Sequence, residues 1–358
     1  MASHRQDRPT SLSFALGLAA ADSPIGEDLP TSPQIGELYV ALKSKPMALL
    51  YGPVRSGKLD AARAIASHLA GPGSSRIQEM VGHAWWASGL EGGAVFTGAQ
   101  ERLNREKILA LMEEARRDRS AGAVYVALLS RISPAEWNDL ATLAFHLDRG
   151  YVPGGIDHRA LRRLRVSPRF LLIATADAPA PPPWDVHLLR KTSLLPWTTR
   201  HRLEGYPPTP ESLCVVEQKS FLETAIRAPR SALRRLRSLT EWQDGMLKPL
   251  LSMARAMNLQ GVPDTNRAAN EAVVYMANAW SRDGDGLFAP SFHDNLRLAI
   301  RFAVKLAMVP RLAGLPPPGA SAITLADSAD RDRWSLADDW MTLDVGLRRR
   351  VTTSSEGP

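Results

Sequence analysis

A parallel α/β sheet followed by an all-helical domain is the fold that the sequence predicts, and three observations predict it. Met47–Tyr51 (MALLY), Ala123–Leu129 (AVYVALL) and Phe170–Ala174 (FLLIA) are uninterrupted apolar runs of strand length. Strands buried on both faces of a parallel sheet read this way, without polar alternation. Helical periodicity separates the runs, so the chain alternates strand and helix. From about Ser220 onward the pattern is helical only.

Residues 1–33 are polar, rich in Pro and Ser, and predicted to be a flexible segment. Gln34–Lys43 has helical spacing. Met47–Tyr51 leads through a glycine-containing loop into an alanine-rich helix over Leu59–Leu69, which stops at Gly71 and Pro72. Arg76–Val81 is a second candidate strand, and a loop over His83–Gly93 follows. Arg102–Arg117 is amphipathic, with Leu103, Ile108, Leu111, Met112 and Ala115 near one face. Ala123–Leu129 gives the third strand, Pro134–Leu147 a helix and Phe170–Ala174 the fourth strand. Ala178–Pro183 (APAPPP) is a stiff connector. Helices are expected over Phe221–Arg227, Ser231–Leu239, Gln243–Met257, Asn266–Ser281 and Ser291–Met308. The predicted division is a flexible segment over 1–33, an α/β domain over 34–218, a helical domain over 219–315 and a charged tail over 316–358.

The chain has 358 residues, 44% of them apolar, which suits a globular protein of two or three domains. Its one cysteine, Cys214, excludes an internal disulfide, reads as a small buried apolar residue and fits a cytoplasmic setting. No run approaches the ~20 apolar residues of a membrane span. Leu12–Ala21, behind Arg5 and Arg8, is too short and weak for a signal peptide. The net charge of +7 is spread along the chain, and the arginine-dense helices expected over Ala160–Arg165 and Ala232–Arg237 read as solvated faces. The His and Cys content forms no zinc pattern, and no Ser lies in a G-x-S-x-G elbow.

The segment Gly52-Pro53-Val54-Arg55-Ser56-Gly57-Lys58 fits seven positions of the phosphate-loop pattern G-x-x-x-x-G-K-[ST]. Glycines let backbone N–H groups turn inward around phosphate oxygens, the following helix adds its positive end, and the lysine reaches the outer phosphates. The eighth position is Leu59, where a hydroxyl would hold magnesium, and a leucine cannot ligate a hard cation. Asp60 lies about 100° further round the helix. The strand Ala123–Leu129 runs into Ser130-Arg131-Ile132-Ser133 with no carboxylate at its end, Glu136 being the first. ATP or GTP is then expected to bind through backbone and lysine, with magnesium weakly held or absent and hydrolysis slow.

This order of pieces resembles the AAA+ domain of McrB-type restriction NTPases and, more distantly, MoxR-type ATPases, over about residues 34–310. The likeness rests on Gly52–Lys58, the His83–Gly93 loop, Val95–Arg117, the block Val124–Leu147 with Asn138–Leu143, and Phe170–Ala176 placed as a sensor strand. The family's Asp-Glu pair is replaced near Leu129-Ser130, and its sensor asparagine by Ala176 or Asp177. The resemblance implies a nucleotide-binding subunit that works in a ring with copies of itself, other AAA+ subunits or effectors, in defence against foreign DNA. By the same resemblance Arg190 and Lys191 stand at the arginine-finger position; otherwise they are helix-end cations. Thr175 and Asp177 either touch a γ-phosphate or water or cap a turn. His83, Trp85 and Trp86 either stack on nucleic-acid bases or seal a domain edge. Arg297, near His293, Asp294 and Asn295, is the candidate nucleotide-sensing arginine or else a surface residue. Rival readings are an active ATPase or GTPase completed by a partner, and a phosphate-loop small-molecule kinase. The large helical domain argues against the kinase.

Overall fold

Met47–Tyr51 forms strand β2 of the computed structural model, which describes residues 28–31, 33–71, 73–81, 107–120, 122–132, 137–154, 162–178, 186–197, 214–217, 221–259 and 261–312. Strand β2 is flanked on both sides, pairing in parallel with β7 (Phe170–Ala176) and with β8 (Thr192–Pro196). Strand β4 (Tyr125–Ile132) lies beyond β7, and β3 (Ile77–Val81) beyond β4, giving a five-stranded sheet in the order β3-β4-β7-β2-β8. Every pairing in it is parallel. The apolar runs alternate between two cores. Ala48 and Leu50 face one side and Met47 and Leu49 the other, all fully buried.

Two helices of the α/β part cover the first face, α1 (Pro33–Ser44) and α2 (Lys58–Ala70). The second face is covered by the described residues 107–117 of α3, by α4 (Trp137–Asp148) and by α5 (Val186–Lys191). The C-terminal helices are α6 (Phe221–Thr224), α7 (Pro229–Arg237), α8 (Lys248–Leu259, entered through a short 3₁₀ turn), α9 (Thr265–Asn278), α10 (Phe292–Ala307) and α11 (Val309–Leu312). Local signals place two of them. Pro229 occupies the first turn of α7, where its missing N–H costs nothing. The Ser291 side chain accepts from Asp294 N to cap α10, whose Leu296, Ala299, Ile300, Ala303 and Ala307 then form a buried stripe.

The expected α/β class holds, and several expectations are corrected. Asp28–Thr31, inside the segment expected to be flexible, is strand β1, paired antiparallel with β9 (Cys214–Glu217). Arg162–Arg165, expected to be helical, is strand β6, paired with β5 (Tyr151–Gly154), because its partner strand supplies the hydrogen bonds. Strand β8 falls on TSLLP, a segment too short to declare itself, and its pairing with β2 makes it an element. Strand β4 continues three residues past Leu129, through a bulge, to Ile132. Residues 179–185, 198–213 and 313–358, which include most of the proline connector and the charged tail, lie outside the described residues.

The helical part does not stand apart from the sheet. One apolar cluster runs from Ala48 and Leu50 through α1 into α7, α9 and α10. Helix α1 is therefore buried all round, with Leu38, Tyr39, Val40, Ala41 and Leu42 at 0% exposure. Tyr39 meets Phe221 edge to face at 5.4 Å. Asn278 donates to Ser44 Oγ at 3.1 Å and to the Ile226 carbonyl at 2.7 Å.

Ions reinforce this junction. Lys45 Nζ donates to Leu189 O at 2.6 Å and to Glu271 Oε2 at 2.8 Å, and Arg311 and Arg267 approach the same carboxylate at 3.1 and 3.3 Å. Burial raises the Glu271 carboxyl, yet Lys45 and Arg311 more than offset it, so its pKa falls below the ordinary value. Burial lowers Lys45, Glu271 opposes that, and the crowding arginines leave it lowered as well. Three cations thus share one carboxylate that is only 13% exposed. Removing one partner of a buried ionic group costs ~3–5 kcal/mol. Glu271→Gln should therefore destabilise the chain by about that amount in urea unfolding at neutral pH. A depressed carboxyl pKa gives stability that is present above the ordinary value and lost as pH falls. The wild-type advantage should therefore shrink below about pH 4.3, the ordinary glutamate value, and a gap between the two proteins that stays constant down to pH 2 would refute the assignment.

Candidate functional site

The carboxyl ends of β7, β2 and β8 converge on Gly52, and the loop that begins there is clamped on both sides. Gly52 N donates to Ala176 O at 3.3 Å, and Trp197 N donates to Tyr51 O at 2.6 Å. A Cβ on Gly52 would stand 1.9 Å from the Trp197 carbonyl oxygen. This first glycine is required by the neighbouring strand end, a reason the motif alone does not disclose. Gly57 differs, having open space around it but a φ of 80°. Arg55 also has positive φ, at 61°. Left-handed residues on either side of Ser56 alternate the backbone hand, which is how successive N–H groups come to line a concave surface.

Among the described residues, the backbone N–H groups from Val54 to Asp60 make no backbone hydrogen bond, and α2 has no side-chain N-cap. The first helical bond into the loop is from Ala61 N to Gly57 O. A row of unpartnered donors at a helix N-terminus carries partial positive charge and suits an anion. Pro53, Val54 and Arg55 are exposed, whereas Ser56 and Lys58 are buried.

Lys58 is the centre of the site. Its side chain is 4% exposed, and Nζ lies 2.6 Å from Pro53 O, 3.0 Å from Gly52 O, 3.0 Å from Ser56 Oγ and 3.0 Å from Asp177 Oδ1. Asp177 follows the last residue of β7 and is 32% exposed on its side chain. The carboxylate that meets Lys58 therefore comes from the end of the strand beside β2, and not from β4, whose sequence carries none where the resembled family has its acidic pair.

The other predicted residues separate into distinct places. Thr175 is buried and turned towards β4, where its hydroxyl accepts from Arg131 N at 3.0 Å and holds the bulge. At the end of β4, Ser130 Oγ donates to Met80 O at 3.2 Å and Arg131 is exposed with φ 57°. No carboxylate stands on the described end of that strand. Glu136 lies outside the described residues, as do His83, Trp85 and Trp86. Leu59 is half-buried, and Asp60 is 68% exposed beside Arg63 at 3.9 Å.

Arg190 and Lys191 end α5, just before Thr192, which registers with Met47 at the opposite end of β2 from the loop. The four residue steps from Met47 to Tyr51 put ~13 Å between the two ends of β2. Both cations are paired within the chain, Arg190 with Asp264 at 3.1 Å and Lys191 with Asp148 at 3.2 Å. They tie the sheet layer to the start of α9 and to α4. Arg297 is 55% exposed and pairs with Asp294 at 3.3 Å on its own helix. His293 is exposed, and Asn295 is buried, accepting from Phe288 N at 2.8 Å and donating to Ala279 O at 3.0 Å.

The class defined by this fold and site is an α/β chain with a five-stranded parallel sheet, one of whose inner strands ends in a lysine-centred loop at a helix N-terminus. No protein-family model matches the chain, and no curated protein is similar to it. No helix among the described residues is long and apolar enough to cross a membrane.

The two glycines should respond differently to substitution. Gly52→Ala drives a Cβ into a backbone oxygen that cannot swing away, so it should cost ~3 kcal/mol, the upper end of the overpacking range. Gly57→Ala meets only the left-handed penalty of ~1–2 kcal/mol. Urea unfolding of both variants checks this, and equal losses would contradict the distinction.

Proposed function

We propose that this chain is an AAA+-like nucleotide-binding subunit, weakly active or inactive in hydrolysis, that acts by assembling with partner proteins. One observation carries the reading: the N–H groups from Val54 to Asp60, which make no backbone hydrogen bond, belong to the same loop as the buried ammonium of Lys58, at the carboxyl end of a strand of a parallel sheet. Ligands of open parallel sheets bind outside the carboxyl ends of the strands, where β2 and its neighbours end here. Donors in a row with a lysine favour the β- and γ-phosphates of ATP or GTP. The donor set suits magnesium poorly, because Leu59 carries no side-chain oxygen and the end of β4 carries Ser130 and Arg131. Slow hydrolysis follows, since metal and water positioning supply most of the rate. Assembly into a ring and a role against foreign DNA, with nucleic acid as a further partner, rest on the resemblance to McrB-type proteins, and a cytoplasmic setting rests on the single cysteine, Cys214. A trans-acting finger at Arg190 and Lys191 would require their pairs with Asp264 and Asp148 to open.

The second reading, an active ATPase or GTPase completed by a partner subunit, is favoured by Asp177. A carboxylate 3.0 Å from the loop lysine is a group from which a metal-bound water or an attacking water can be held.

Fluorescently labelled ATP and GTP should bind the wild-type chain, and Lys58→Ala should weaken that binding at least about tenfold by removing a charge-assisted contact. Equal binding by both proteins would remove the loop from the function. Phosphate release by the chain alone should stay at background. Turnover above about 1 per second, the range of competent enzymes, would favour the second reading.

A further inference from the structure

An ammonium group has three N–H bonds, and Lys58 Nζ has four oxygen acceptors within 3.0 Å. The lysine is therefore saturated by its own chain. A phosphate oxygen can reach it only by displacing an acceptor already in place.

The four acceptors are not equally displaceable. Gly52 O and Pro53 O belong to the loop backbone, and the position of Gly52 is fixed by its bond to Ala176 and its contact with Trp197. Ser56 is buried within the loop. Asp177 is the exception. It comes from a different strand, its side chain is 32% exposed against 4% for the lysine, and it follows the last hydrogen-bonded residue of β7. Rotating that carboxylate away returns it to water and leaves the loop intact. It is also the only acceptor of the four that carries a full negative charge, as a phosphate does.

We propose that Asp177 is an internal stand-in for a ligand phosphate, a lock that holds Lys58 until a polyphosphate displaces it. This rests on the nucleotide-binding reading above and adds its regulation and ligand class. Exchanging one anion for another at Lys58 yields little by itself. The gain comes from the row of N–H groups between Val54 and Asp60, which the Asp177 contact leaves without acceptors. A diphosphate or triphosphate engages that row and the lysine together and outcompetes the carboxylate. A lone inorganic phosphate engages fewer donors and competes poorly. The lock needs no metal, because the exchange is between two anions for one ammonium.

Titration calorimetry on the full chain with ATP, pyrophosphate and inorganic phosphate, each with EDTA and again with excess magnesium, tests this. Asp177→Asn keeps the shape and removes the charge, and Asp177→Ser provides a second variant should the first fold poorly. Both should bind metal-free ATP and pyrophosphate at least about tenfold more tightly than wild type, the loss of one charge-assisted competitor. Adding Lys58→Ala to the wild-type chain and to Asp177→Asn should abolish the difference between them. Wild-type affinity in EDTA that Asp177→Asn leaves unchanged or lowers would overturn the lock while keeping the nucleotide reading. Binding lost only with magnesium in Asp177→Asn would make Asp177 a metal-side group and would also overturn the lock. No binding by wild type or by either variant would end the nucleotide reading, and the lock with it.

Discussion

Strand β2 is hydrogen-bonded on both sides and buried on both faces, and its carboxyl end has nowhere to go except into a turn pressed against its neighbours. That constraint organises the molecule. Gly52 is the residue that can pass the Trp197 carbonyl, so the chain leaves the sheet with its backbone held by β7 on one side and β8 on the other. The loop that follows inherits a fixed origin, and α2 begins at a fixed place seven residues from the end of the strand. Lys58 is then folded back over the loop rather than out into solvent. A preorganised ring of oxygens receives its ammonium, and the N–H row is left for a ligand.

The opposite end of the sheet is governed by different physics. Lys45, Glu271, Arg311, Arg267, Asp148 and Lys191 form one network, and Arg190 with Asp264 a separate pair, and together they join the strand starts, α4 and α5 to α9 and α11. Buried ionic groups of this kind are costly to desolvate and cost more when broken singly. The helical part is consequently bound to the sheet by a shared apolar core and by ions whose centre, Glu271, is withdrawn from solvent. The site at one end and the junction at the other are linked through β2 itself, which spans both.

Much of the architecture was legible before any coordinates. The apolar runs MALLY, YVALL and FLLIA are strands because a sheet covered on both faces tolerates no alternation, and the helices after Ser220 are legible from their periodicity. What escaped was pairing between short segments. DLPT with CVVE, YVPG with RRLR, and TSLLP against β2 carry weak local preference, and each becomes a strand through its partner. Arg162–Arg165 shows the cost of judging by charge alone, since a ladder partner overrides an arginine-rich composition. Within the site, the loop was legible as a spacing. The Lys58–Asp177 contact was not, because it joins residues far apart in the chain that only the pairing of β2 with β7 brings together.

The strand–loop–helix unit, the lysine within it, the absence of a hydroxyl at Leu59 and the basic end of β4 are readable along the chain, because each is a property of neighbouring residues. It takes the folded arrangement to bring Asp177 to Lys58, Thr175 to a bulge, and Arg190 and Lys191 to Asp264 and Asp148 at the far end of the sheet. Those outcomes depend on strand order, and strand order follows from which apolar faces bury each other, a cooperative result that no local spacing encodes.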